Sequence, residues 1–273
     1  MKTTMEMQFG GFATVMKVKD IKLKVIPSKI ANEFVKKHHY SGKVVQNSKL
    51  HFGAFYNNVL HGVMSYGSPL DKRKSLGLVK NTQWNEMIEL NRMAFDDVLP
   101  KNAESRCIAV SIKLIKKNAP QIKWILSFAD CTQCGDGTIY RASGFYLTGI
   151  KPNNQTYIFP DGEVVTRMTL TLVGGKKRQQ MINKWNVKNT SSSSIKPFEK
   201  IGAKPLKGHQ LRYVYFIDKN KLKDLVVPLI PFTKLKQLGI SMYKGKLGVD
   251  SLKVKQHKTN VKKVVQYQPQ RSI

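Results

Sequence analysis

Cysteine, acidic residues and long apolar runs are scarce in this 273-residue chain. Three cysteines are an odd count and too few for a disulfide framework, which excludes the small secreted scaffolds and points to a reducing, cytoplasmic setting. Cys131 and Cys134 have the spacing of a redox or zinc loop, but no second pair exists to complete a zinc site, so an incidental or structural role is preferred. The most apolar tract, LVVPLIPF (225–232), is too short to span a bilayer, and MKTTMEMQFG lacks the apolar core of a signal; no membrane partner is expected. Acid is scarce in a way that matters more. Seventeen Asp+Glu against 47 Lys+Arg leave a formal charge of +30. A charge of that size calls for a polyanionic partner, nucleic acid first, the alternative being a solvated Lys-rich surface. Residues 176–273 hold 23 of the Lys+Arg and 4 of the Asp+Glu, or +19, against +11 for the first 175.

With 41% apolar residues, the chain can bury a substantial core. IKLKVIP (21–27) alternates like a strand, and Pro27-Ser28 opens a helical pattern with Ile30, Phe34 and Val35 on one face. Residues 50–67 read as two strands joined at Asn57-Asn58, and MIELNRMAF (87–95) as a third. A helix follows over 102–120, capped by Asn102, with Lys116 and Lys117 in its last turn and Pro120 ending it. KWILSFAD (123–130) has the composition of a buried strand, and GTIYRASGF (137–145) of a short helix closed at Gly144. Residues 157–173 read as a hairpin across Pro160-Asp161-Gly162, and LRYVYFID (211–218) as a strand. The expected organisation is a core over 1–218 and a basic extension over 219–273 whose Lys/Gln-rich end is disordered. Between MTLTLV and LRYVYF, taken as the final antiparallel pair, lies a basic insertion, 174–208, with nine Lys+Arg, one Glu and no strong apolar period. It is expected to order on binding.

This order of elements resembles the GNAT acetyltransferases: an α/β (α+β) fold with a mixed, mostly antiparallel sheet flanked by helices. Tyr140-x-x-x-Gly144-Phe145 resembles an ending common in GNAT proteins. HHYSG (38–42), ELNRM (89–93), NAESR (102–106), SFAD (127–130) and GTIYRASGF (137–145) together look like the Mom family of phage DNA-modification proteins, over about residues 36–150. That resemblance implies an acyltransferase-like enzyme altering the exocyclic N6 amine of adenine in double-stranded DNA, which blocks restriction endonucleases in the host cytoplasm. One departure stands out. Where GNAT proteins carry a glycine-rich pyrophosphate loop, this chain has LPKNAESR. A helix N-terminus still offers N–H groups to acetyl-CoA or another acyl-CoA, with Asn102, Ser105 and Arg106 as the side chains at hand.

The candidate catalytic residues follow. Asp130 ends a core strand where a GNAT-like sheet opens, as general base, metal ligand or loop cap. Tyr140 is either the acid that protonates a leaving group or a core aromatic. Adjacent His38 and His39 cannot share a helical face, and the resemblance favours His39 with Tyr40. His39 and Asp130 would be two ligands of an Fe(II) site lacking an identified third. Arg92, mid-strand, needs an anionic partner if buried: phosphate, cofactor or Glu89. In the insertion, Lys176, Lys177, Arg178 and Lys184 are the expected phosphate contacts, with Trp185 and Phe198 as stacking groups or packing. Two rival readings remain: a GNAT acetyltransferase acting on a protein or small amine, and a non-catalytic nucleic-acid-binding protein on the same scaffold.

Overall fold

The computed structural model describes residues 16–132, 135–188 and 191–240. Cys134 and the Lys/Gln-rich end expected to be disordered lie outside the described residues. β1 (Lys22–Val25) leads into α1 (Ser28–His38), which Pro27 opens at φ −60 and which buries Ala31 and Val35. β2 (Ser48–Tyr56) and β3 (Val59–Gly67) form the expected hairpin. Asn57 and Asn58 both hold positive φ, 47° and 61°, the turn geometry that matches strand twist. After the short α2 (Lys72–Leu76), β4 (Met87–Phe95) crosses the sheet, and α3 (Ala103–Asn118) buries Cys107, Ile108, Ile112 and Ile115. Asn102 does not cap α3 with its side chain. It sits in the left-handed region at φ 70 because the turn closed by Ala103 N on the Pro100 carbonyl needs a residue that tolerates it. β5 (Trp124–Asp130), α4 (Thr138–Ala142) and β6 (Tyr146–Pro152) follow.

Then come β7 (Thr156–Ile158), β8 (Val164–Thr166), α5 (Arg167–Thr171), α6 (Lys176–Trp185), α7 (Lys196–Lys200) and β9 (Lys204–Pro205). β10 (His209–Phe216) returns to the main sheet, and α8 (Thr233–Gln237) packs Leu235 into its core.

Among the described residues the main sheet has seven strands in the order β1-β2-β3-β4-β5-β10-β6. All neighbours are antiparallel except β4 and β5, which run parallel over only Met87–Leu90 and Trp124–Ser127. Beyond Ser127 the two strands part: β4 stays with β3, and β5 with β10. α3 and α4 cover one face through Ile108, Ile112, Ile125, Leu147 and Tyr213, while α1 covers Phe55, Val63 and Ala94 on the other.

Two expectations are corrected here. β10 pairs with β5 and β6, not with MTLTLV, and that stretch lies mostly in a helix, α5. Its Met168, Leu170 and Leu172 alternate with threonines like a strand, but only Leu170 is buried, and the Thr166 hydroxyl caps the helix by accepting from Thr169 N. Nor is 174–208 without a packed structure of its own. With the preceding hairpin it forms a subdomain around the sheet β8-β7-β9, in which Met181, Val187, Ile195 and Phe198 join Tyr157, Phe159, Val165 and Leu170 in a separate core. These apolar residues are spread thinly along the segment and find partners only on the hairpin before it. Among the described residues no helix is long and apolar enough to cross a membrane.

Candidate active site

A bulge in β4 shapes the site. The β3–β4 register shifts between Ser65↔Arg92 and Tyr66↔Leu90, leaving Asn91 as the extra residue. Glu89 and Arg92, three apart, therefore share a face of the strand, the face on which α1 packs. Arg92 Nε donates to Lys43 O at 3.0 Å, its Nη1 to Asn91 O at 2.7 Å, and Ser48 Oγ to Asn91 Oδ1 at 2.8 Å. These bonds pin the loop after α1, which carries His39 and Tyr40, against the bulge.

His39 Nδ1 accepts from Ser41 N at 3.2 Å and lies 2.8 Å from Ser41 Oγ, so the ring proton belongs on Nε2. Burial, with the Arg92 charge adding to it, pushes the imidazole down to about 4. His39 is neutral at physiological pH, and its ring lies 4.3 Å from that of Tyr40. Glu89 moves the other way: burial pushes it up to about 7, against the opposing pull of Arg92.

Asp130 closes β5. Its Oδ1 accepts from Thr132 N and from Asn153 Nδ2, both at 2.9 Å. A cavity of about 310 Å³ brings Asp130 together with Tyr40, Ser41 and Gln210, and Asn153, Thr156 and Thr166 of the subdomain side complete its wall. Phe128, two residues earlier on the same side of β5, is 38% exposed just past the last β4 pairing. Sequence reasoning passed over Phe128 and used Glu89 only as a partner for Arg92. An aromatic two residues before a strand-end acid was the available signal for Phe128; nothing short of the bulge revealed Glu89.

The structure keeps the other candidates apart from this cavity. Tyr140 is 7% exposed, its ring 5.4 Å from Phe145 and 5.1 Å from Tyr213 within the α3-side core. Phe145 N on Tyr140 O and Gly144 N on Arg141 O, with Gly144 at φ 81, close α4 in a left-handed helix stop. At the start of α3, Ser105 Oγ donates to Asn102 O at 3.1 Å rather than outward, Glu104 adds a negative charge to the first turn, and Arg106 is exposed. Ala103 N is taken by Pro100 O and Arg106 N by Asn102 O, so what fits a pyrophosphate there is the Glu104 and Ser105 backbone N–H groups and the Arg106 side chain. Fe(II) finds no support: among the described residues no group of three His, Cys, Asp or Glu side chains is placed to hold a metal.

The basic cluster is mostly committed internally. Arg178 is 2% exposed; it donates to Ser192 O at 2.7 Å and its guanidinium lies 5.9 Å from the Phe198 ring centre, so it builds the subdomain rather than facing a phosphate. Lys177 pairs with Glu163 at 2.5 Å, and Lys184 with Asp161 at 2.5 Å and Glu163 at 2.7 Å. Trp185 packs on Phe159 at 5.7 Å between ring centres, and Phe198 is wholly buried, so the packing alternative holds for both. Lys176 is exposed and makes no ion pair among the described residues.

Among the described residues the main sheet parts at its one parallel pair, β4 and β5, beside the cavity that holds Tyr40 and Asp130. The Mom protein family model matches residues 20–234, and the chain belongs to that family. It is 31% identical over 208 residues to the methylcarbamoylase mom of Escherichia phage Mu, covering 76% of this chain and 80% of that protein. Among solved structures, a Bacillus subtilis acetyltransferase in complex with CoA aligns with 72% of this chain and 98% of its own at 10% identity and a TM-score of 0.38. The ribosomal-protein-S18-alanine N-acetyltransferase of Escherichia coli aligns with 72% and 94% at 9% identity and a TM-score of 0.40. The family match carries the assignment; these two overlaps add nothing to it.

Proposed function

We propose that this protein modifies the exocyclic N6 amine of adenine in double-stranded DNA and so shields the DNA from restriction endonucleases. The observation that carries the reading is the joint cavity of Tyr40 and Asp130, walled by a folded basic subdomain, in a chain of the Mom family. The adenine amine is a weak nucleophile, because its lone pair is delocalised into the ring. Asp130, with Oδ1 satisfied by Thr132 N and Asn153, keeps Oδ2 for the amine proton. Tyr40 offers a flat ring against the base, and neutral His39 orients that loop through Ser41 while holding a proton on Nε2. Arg92 positions the loop rather than touching substrate. The adenine must leave the stack to reach the cavity. An acyl-CoA, held by the Glu104 and Ser105 amides at the start of α3 and by the Arg106 side chain, would supply the activated group.

Nucleoside mass spectrometry on DNA from cells expressing the protein tests the reading. An adenosine of increased mass, absent with Asp130→Asn although that variant melts like the wild type, is the expected result. Unaltered DNA beside a modified protein or small amine would replace the proposal with the acetyltransferase reading. Unaltered DNA with no modified acceptor would leave only a binding protein.

A further inference from the structure

α5 and the turn that follows it present bare apolar side chains on a strongly basic protein. Met168, Leu172 and Val173 are 72%, 61% and 57% exposed, while Leu170 among them is fully buried and fixes the helix to the subdomain core. Met168 lies on α5, Leu172 is the extended residue that caps its C-terminal end (φ −74, ψ 97), and Val173 begins the turn that follows. The helix starts at the cavity. Thr166, which caps α5, lines the same cavity as Tyr40 and Asp130. Cations flank it: Arg167 and Lys176 are exposed, and Lys43 reaches over from the α1 loop, its Nζ donating to Thr169 Oγ1 at 2.9 Å.

A second copy of this chain, itself at +30, would bring cation against cation here. A duplex satisfies both features, because its phosphates meet the flanking cations and its base steps admit an apolar side chain. We propose that the ridge of Met168, Leu172 and Val173 is a wedge that enters the base stack beside the target adenine. There it occupies the gap left when that base turns into the cavity. The inference rests on the DNA-modification reading above and adds to it the means of extrusion. A segment anchored through Leu170 to its own core is a firm mount for such a wedge, and the flexible methionine adapts to the step it enters.

The test is Met168→Ser with Leu172→Ser, two exposed positions whose replacement leaves the core untouched. Modification is measured by nucleoside mass spectrometry on three DNAs of one sequence: the paired duplex, the duplex with the target adenine opposite an abasic site, and the single strand. The wedge predicts a loss on the order of tenfold on the paired duplex and little change where the adenine is already unpaired. With 2-aminopurine in the target position, the fluorescence rise on binding wild-type protein should be lost as well. Equal losses on all three DNAs, or none on any, overturn the wedge while the modification reading stands. Unimpaired duplex activity with a dimer converted to monomer in sedimentation makes the ridge an interface between copies, which also overturns it. A wild type that modifies none of the three DNAs sinks the modification reading and the wedge with it.

Discussion

Changing Glu89 to glutamine should make this protein more sensitive to acid, because Glu89 and His39 titrate in opposite senses on one sheet face. Burial, with Arg92 beside it, holds His39 at about 4 rather than 6.5. The unfolded chain binds a proton there that the folded chain refuses, so this contribution to stability is complete above pH 6.5 and lost as pH falls toward 4. Burial, opposed by Arg92, lifts Glu89 from 4.5 to about 7. The folded chain now keeps a proton that the unfolded chain releases. That contribution is complete below pH 4.5 and lost as pH rises through 7. At about 1.4 kcal/mol per pH unit each displacement is worth roughly 3 kcal/mol, and roughly 2 kcal/mol once solvent access to the cleft is allowed for. Between pH 7 and 5 the two offset each other by about 1–2 kcal/mol apiece. Urea unfolding at pH 7 and pH 5 should therefore show Glu89→Gln losing roughly 1–2 kcal/mol more than wild type on acidification, and His39→Gln losing less than wild type. His38 and His51, also lowered by burial, act in the same sense as His39 and are common to every variant compared. Identical pH dependence in wild type and Glu89→Gln would refute the placement of a protonated carboxyl beside Arg92.

The subdomain gives two further predictions. Arg178→Gln should lower stability by about 2–3 kcal/mol, read from urea unfolding followed by tryptophan fluorescence, whereas Lys176→Gln should leave the unfolding unchanged and flatten the salt dependence of DNA binding by roughly 0.9 in log–log slope. Glu163→Gln releases Lys177 fully and Lys184 in part, so fluorescence anisotropy at fixed salt should show tighter DNA binding; weaker binding would place those lysines away from the duplex.

Much of the main sheet could be read from local chemistry. The Asn57-Asn58 turn, α3 ending before Pro120, and β5 as an apolar run are short-range signals, and each is where the pattern puts it. β6 escaped because YLTGIKP holds Gly149 and Pro152. In the fold, Gly149 makes room for the Arg212 guanidinium, which donates from Nη2 to Thr148 O at 2.6 Å. That reason lies on another strand, sixty residues away, and leaves no local trace. α5 was hidden by an alternation of methionine, leucine and threonine that the fold uses for exposure instead of a sheet face. At the site, Tyr40 and Asp130 were reached through resemblance, and the cavity brings them together. Glu89 and Arg92 share a face only because Asn91 bulges, and a bulge depends on the register of β3.

The same long-range logic ties the basic subdomain to the Asp130 carboxylate. Asn153, at the junction, donates through Nδ2 to Asp130 Oδ1 and also to Thr132 Oγ1 at 3.1 Å. On the far side Lys43 bonds Thr169, so the loop that carries Tyr40 is fastened to α5. Thr156 and Thr166 stand in the cavity wall on β7 and β8, two three-residue strands too short to hold their shape alone. What supports them is the apolar set from 174–208: Met181, Val187, Ile195 and Phe198, closed over Tyr157, Phe159, Val165 and Leu170. Replacing residues 175–207 by a short turn would strip that support and leave four apolar residues of the hairpin and α5 facing water. It would also take the wall from the cavity in the same cut. The basic surface of the subdomain and the shape of the cleft are therefore one structural unit, and only single surface changes such as Lys176→Gln separate them.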